Sequence, residues 1–306
     1  MKKKLIIASV LLVMVLLSVG IFLNQMKPTL ATKDSVTKQE LIESIITGNL
    51  KKVREAAKDL DTVNFVTKEE AKTPLEYAFQ YQQYDIAVYL IKKQGKINAK
   101  SQVPIVVQAA LSLPDYLQTV KQTKDQRNKR IRMIEAVLKN FPEAINLTDI
   151  EGNNALHIAS GKGDPDVIRM LEEAGIDDDM ANNLGNTPVE LAALSNQPLA
   201  VEAIAAKNPE RFTKLNSEKK SLIILAASNS VHDMLKFLLK INRDHINDQD
   251  IHGHTALMYA SEYGDTEAVK ILLKHGAAAG LRSKEGKTAA DYARQWKHKD
   301  IVDLLS

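Results

Sequence analysis

The side chains with the most chemical promise are histidines. His252 and His254 flank Gly253, and His245 lies just upstream. Two imidazoles two residues apart on a turn can reach one metal ion, and a third would extend the set toward a zinc site. A hydrolase or metal enzyme using these three residues is one expectation. The preferred reading is plainer: variable residues at a loop tip, because no carboxylate or thiol completes the set at a recognisable spacing. Asp177-Asp178-Asp179 offers calcium-type oxygens, yet the spaced ligands and glycine of a calcium loop are missing, so it reads as a solvated junction. Asn146-Leu147-Thr148 fits the glycosylation acceptor pattern, which is short enough to arise by chance. There is no phosphate-cradling glycine loop, no His-Glu-x-x-His and no Gly-x-Ser-x-Gly. With no cysteine, disulfides, thiol catalysis and thiolate ligation are excluded. The chain is read as a non-enzyme with no catalytic residue, metal site or cofactor.

Something must position those histidines, and residues 250–282 show what. The stretch reads DIHGHTALMYASEYGDTEAVKILLKHGAAAGLR. Gly253 and Thr255 precede a short apolar run, Ala256 to Ala260. A second turn at Gly264 leads to Ala268, Val269, Ile271, Leu272 and Leu273 at helical spacing, and Gly276 closes the unit. This predicts two short antiparallel helices. One such unit cannot cover its own apolar face, so copies must stack.

Copies are present. Asn154, Thr187, Ser221, Thr255 and Thr288 occupy equivalent positions, separated by 33, 34, 34 and 33 residues. They head the stretches NALHIA, TPVELAA, SLIILAA, TALMYA and TAADYA, and Thr73-Pro74-Leu75-Glu76-Tyr77-Ala78 adds an earlier copy. Pro74 sits where a first helical turn has no hydrogen bond to lose. The pattern resembles the ankyrin repeat, D-x-x-G-x-T-P-L-H-x-A followed by G-x-x-x-x-V-x-x-L-L-x-x-G-A. The resemblance covers residues 38–306 and implies an all-α solenoid of about eight helix-pair repeats. Only His157 holds the motif histidine; Glu76, Glu190, Ile224, Met258 and Asp291 replace it, so its bonds to the neighbouring loop must be made otherwise or lost. The first repeat, from Lys38, reads as a cap with Leu41, Ile42, Ile45 and Ile46 on one helical face. The third is divergent: an insertion near 112–128 separates its helices. The run Lys121, Lys124, Arg127, Lys129, Arg130 and Arg132, with only Asp125 opposing, reads as a solvated helix extension.

Residues 1–23 read as a transmembrane signal-anchor. Lys2, Lys3 and Lys4 precede an uncharged run from Leu5 to Leu23, which as helix would span about 28 Å, close to bilayer thickness. A cleaved signal peptide is the alternative, with small residues at Ser18-Val19-Gly20 and Thr29-Leu30-Ala31. Residues 24–37, with Pro28, read as a linker. The basic end would stay in the cytoplasm and the repeats would face the periplasm or the exterior. A net charge of +3 in 306 residues gives no argument for nucleic acid.

The resemblance implies a protein partner, met by residues just before each repeat's Thr and just before its second turn. At those positions stand Glu151, Asn153, His252 and His254 in the first set, and Tyr81, Lys162, Glu262, Tyr263 and Trp296 in the second. Tyr and Trp are the residue types favoured at binding hot spots. The expectation is a monomeric, membrane-tethered, non-catalytic binding module. It would inhibit or protect against a partner protein, such as a secreted toxin or hydrolase, by steric occlusion as immunity proteins do. A periplasmic scaffold for a stress or envelope enzyme is the alternative.

Overall fold

The computed structural model describes residues 33–114 and 123–306. Among these residues the chain is helical and has no strand. The expected membrane segment, residues 1–23, lies outside them; within them no helix is long and apolar enough to cross a bilayer. The first helix, α1 (Lys33–Ile46), already occupies the end of the stretch expected as linker. It pairs with α2 (Leu50–Ala56), and a short α3 (Leu60–Asn64) follows. Seven further pairs succeed it: α4 (Pro74–Gln80) and α5 (Tyr84–Lys92), α6 (Ile105–Leu111) and α7 (Lys124–Asn140), α8 (Ala155–Lys162) and α9 (Pro165–Glu173), α10 (Pro188–Leu194) and α11 (Pro198–Lys207), α12 (Leu222–Ser228) and α13 (His232–Ile241), α14 (Ala256–Glu262) and α15 (Thr266–Lys274), α16 (Ala289–Gln295) and α17 (Lys299–Leu304).

The first helix of each pair begins where the sequence repeats. Thr73, Asn154, Ser221, Thr255 and Thr288 each stand at the N-cap, with the side-chain oxygen accepting a backbone N–H three residues on. The third residue of the helix completes the cap in several layers. Glu76, Glu190 and Asp291 each accept the backbone N–H of their own N-cap Thr, at 2.8, 2.6 and 2.9 Å. This explains how the missing motif histidine is replaced. Glu76 even keeps the link to the next loop, accepting the Asn98 N–H at 3.0 Å. Ile224 and Met258 cannot, and there only the Ser221 and Thr255 oxygens remain.

Layers stack in order. The first helices pack α1 on α4, then α6, α8, α10, α12, α14 and α16 in turn. The second helices form two runs, α2 through α5, α7 and α9 to α11, then α13 through α15 to α17; α11 and α13 pack on each other least of any successive pair. One apolar core runs the length of the stack, from Leu41 and Ile45 through Leu156, Ile168 and Leu235 to Tyr292 and Ile301. No layer buries its apolar face without a neighbour.

Of the basic stretch and the insertion expected near 112–128, residues 115–122, with Lys121, lie outside the described residues. Lys124 is exposed as the sequence suggested, and Arg127 and Arg132 stay more than half exposed, yet four charges, Arg127, Lys129, Arg130 and Arg132, find partners in other layers. Lys129 and Arg132 of α7 reach back to Asp85 on α5, at 3.3 and 3.5 Å. Arg127 reaches forward to Asp166 on α9. Arg130 is fully buried against Asp164, which caps α9. A sequence-only view misses these carboxylates because they lie about one repeat away on either side. Asp177 to Asp179 behaves similarly. Asp178 and Asp179 each take Arg211 at 2.7 Å, and Asp179 also takes Lys214.

Candidate protein-binding face

The face is built from the loop tips before the first helices and from the exposed flank of those helices. Each regular tip is a turn closed on a polar residue. Asp149, Asn182, Asn216 and Asp250 each accept two backbone N–H groups, two and four residues on, through one side-chain oxygen. The turn needs a left-handed residue, supplied by Gly152, Gly185, Gly253 and Gly286, and by Lys219 in the sixth layer. Successive tips are then tied backbone to backbone. Asn183 donates to Glu151 at 3.0 Å, Ile251 to Glu218 at 2.9 Å and Lys284 to His252 at 3.0 Å. The register demands a fourth bond, from Ser217 N–H to the Leu184 carbonyl, and the structure does not form it. Leu184 there is 85% exposed and Ile150, on the neighbouring tip, 67%.

The expected contact residues divide into two kinds. Glu151 and His252 stand exposed at tips, Lys162 and Glu262 are half-exposed, and Tyr263 and Trp296 are 59% and 53% exposed. Asn153 and His254, by contrast, are drawn into the packing between tips. Asn153 is buried, donates to Asp149 and Glu151, and accepts from Asn182 at 2.9 Å. The His254 Nε2 lies 2.6 Å from the Tyr292 hydroxyl, which also meets Ser283 Oγ at 2.9 Å. Tyr81 is half-buried, stacked on Tyr77 with ring centroids 6.5 Å apart. Asn146 of the glycosylation pattern is exposed, but its side-chain oxygen accepts the Asp177 N–H at 2.7 Å and so serves the next layer.

The three histidines are not gathered. His245 pairs with Asp248 at 2.9 Å, His254 is committed to Tyr292, and the rings of His252 and His254 are 6.2 Å apart. Among the described residues no three His, Asp or Glu side chains are grouped to hold a metal. The shallow hollows lie near the N-terminal end, between α1 and α2 and between α4 and α6, away from these histidines.

The aromatic residues form a repeated motif that single-position reading overlooked. Tyr77–Tyr81, Tyr259–Tyr263 and Tyr292–Trp296 are all four-residue pairs on first helices, a spacing that puts both rings on one face. The inner tyrosines are covered. Lys220 Nζ lies 5.1 Å from the centre of the Tyr259 ring, and Lys287 Nζ 5.4 Å from that of Tyr292. Each lysine is braced by a glutamate two residues earlier, Glu218 at 2.7 Å and Glu285 at 2.8 Å. The Tyr259 hydroxyl donates to Asp250 at 2.5 Å; burial and then this bond push the phenol's pKa far up, while the same bond helps hold the carboxyl of Asp250 below its usual range.

Comparison with known proteins agrees with this architecture. Residues 222–306 match the family model described as ankyrin repeats (3 copies), and residues 137–192 match ankyrin repeats (many copies). Over 146 residues, 47% of this chain, it is 33% identical to neurogenic locus notch homolog protein 1 of Mus musculus and of Homo sapiens, covering 6% of each. Over 134 residues, 43% of this chain, it is 31% identical to alpha-latrotoxin-Lg1a of Latrodectus geometricus, covering 10% of that protein. The chain thus spans a small part of the length of these relatives.

Proposed function

We propose that this array of ankyrin repeats is a non-catalytic module that binds another protein through its tip and first-helix face. The observation that carries the reading is that face itself: Tyr263 and Trp296 stand exposed on successive layers whose cores are otherwise closed. Large aromatics left in solvent cost hydration free energy that a partner's surface can recover. In the finer form of the proposal, the N-terminal apolar stretch holds the array on the non-cytoplasmic side of a membrane. The bound partner, a toxin or hydrolase, is then neutralised by steric occlusion. A scaffold supporting an envelope enzyme would use the same face. The reading as a hydrolase on His245, His252 and His254 has little support, since each imidazole is engaged or apart from the others.

The test is affinity capture from membranes by the full chain, compared with the triple variant Tyr81→Ala, Tyr263→Ala, Trp296→Ala. A partner retained by the parent and lost by the variant supports the proposal. Equal retention removes this face as the binding surface. Protease protection of the repeats in intact cells, lost on membrane permeabilisation to the outer side only, would place the array where the proposal needs it.

A further inference from the structure

The aromatic pairs of the last two layers differ in one respect that bears on the partner's chemistry. The inner ring of each pair, Tyr259 or Tyr292, is already covered by one of the chain's own lysines. The outer ring, Tyr263 or Trp296, has no such cation among the described residues. Glu262, next to Tyr263 and half-exposed, has a carboxylate that makes no hydrogen bond or ion pair among the described residues. The neighbouring carboxylates are engaged: Glu218 with Lys220, Glu285 with Lys287, Asp291 with Arg294 and Asp265 with His232.

Tyr263 and Trp296 are the C-cap residues of α14 and α16, at the same register 33 residues apart, on helices packed directly together. Packed helices lie about 8–10 Å apart. Side chains at one register on such neighbours can both lie against a single group presented by a partner. A guanidinium fits all three features together: it is planar, it stacks on aromatic faces, and it donates two parallel N–H groups to a carboxylate. We propose that Glu262, Tyr263 and Trp296 form the receiving site for an arginine side chain presented by the protein partner. This rests on the protein-binding reading above and gives that surface its chemical preference. Basic groups border the site. Lys287 feels the field of Glu262 although it is paired with Glu285, Lys297, exposed beside Trp296, has no ion pair among the described residues, and His298 Nε2 lies 3.0 Å from the Glu262 backbone carbonyl.

Trp296 is the only tryptophan in the chain, so its emission reports the site directly. The full chain would be titrated with three capped tripeptides, Gly-Arg-Gly, Gly-citrulline-Gly and Gly-Lys-Gly. The arginine peptide should change the emission saturably. Citrulline, equal in shape but uncharged, should bind about tenfold more weakly, and Glu262→Gln should lower the arginine affinity about three- to tenfold. Lys297→Glu should raise it. Tyr263→Ala, which keeps the reporter, should weaken it. Arginine and citrulline peptides that bind alike, or a Glu262→Gln chain that binds as the parent does, overturn the inference. A lysine peptide equal to the arginine peptide overturns the choice of guanidinium. A chain that captures its partner through the Tyr81, Tyr263 and Trp296 face, with none of this arginine dependence, sinks the present inference and leaves the protein-binding reading standing.

Discussion

Arg130 and Asp164 meet in the interior between the third and fourth layers, Nε to Oδ2 at 3.1 Å, with both side chains wholly withdrawn from solvent. Asp164 also accepts the N–H groups of Asp166 and Val167 through its other oxygen, so one carboxylate caps α9 and neutralises α7. Removing one member of a buried pair strands the other charge, at about 3–5 kcal/mol. Arg130→Met and Asp164→Asn should each lower stability by that order in urea denaturation. The double variant Arg130→Met, Asp164→Ser retains a capping oxygen and leaves no charge stranded; it should recover much of the loss. Additive losses in the double variant would count against the pair.

Glu172, near the end of α9, gives the stack a pH dependence of unusual sign. Its side chain is buried, Oε1 has no hydrogen-bond partner, and Lys207 donates instead to the Glu172 backbone carbonyl at 2.7 Å. Burial first, then the field of Asp178, pushes the carboxyl up to about 7, against the attraction of Lys207 and Arg211. Between the unfolded value near 4.5 and about 7 the folded chain therefore holds a proton that the unfolded chain has released. The Glu172 contribution to stability must fall as pH rises through that window. Glu172→Gln should leave stability near pH 5 little changed and raise it by roughly 1–3 kcal/mol at pH 8. Thermal melts of both chains at the two pH values check this.

His157 has the opposite sign. It is buried, with Nδ1 2.8 Å from Asn154 Oδ1 and Nε2 3.0 Å from the Asn186 carbonyl. Burial is the main cause that holds its pKa below the usual 6.5. The unfolded chain thus takes up a proton first, and the His157 contribution to stability is lost as pH falls below about 6.5. His157→Leu should weaken the stack by about 1–3 kcal/mol near neutrality, through the unsatisfied polar groups it leaves, and should remove that part of the acid slope. An unchanged slope would put the titration elsewhere.

Lys219 holds the left-handed turn position, at φ +57°, that glycine fills at 152, 185, 253 and 286. A side chain there costs about 1–2 kcal/mol, part of which glycine gives back through its freer unfolded state. Lys219→Gly should raise the melting stability by about 0.5–1 kcal/mol. The reverse change at Gly253 should be harmful, because a Cβ there would stand 2.9 Å from the Lys284 backbone nitrogen. If both changes were neutral, the turn would carry no strain.

Much of this fold was legible because each layer repeats a cap and an apolar spacing. Thr73, Asn154, Thr187, Ser221, Thr255 and Thr288 announce helix starts from type and period alone. Even the divergent third layer was recognisable from Ile134 and Val137, which are buried as their spacing requires. What stayed hidden was contact between layers. The basic run near Arg130 read as solvated since its carboxylates, Asp85, Asp164 and Asp166, lie far off in sequence. Asn153 and His254 read as contact residues because their positions in the repeat are outward in general, whereas the neighbours Asn182 and Tyr292 hold these two inward. The covering lysines over Tyr259 and Tyr292 were visible as residues but not as lids, for a lid is a matter of distance.

The bond missing between Ser217 and Leu184 has a mechanical meaning. Among the regular fingertips, from Asp149 to Ser283, this is the join where the lacing skips a stitch, and α11 leans only lightly on α13. Across it α10 still packs on α12, and the Asn242 side-chain amide donates to the Phe212 carbonyl at 3.2 Å. The fifth and sixth layers are therefore joined through α10 and α12 more than through α11 and α13, and Tyr263 and Trp296 stand on the layers beyond that join.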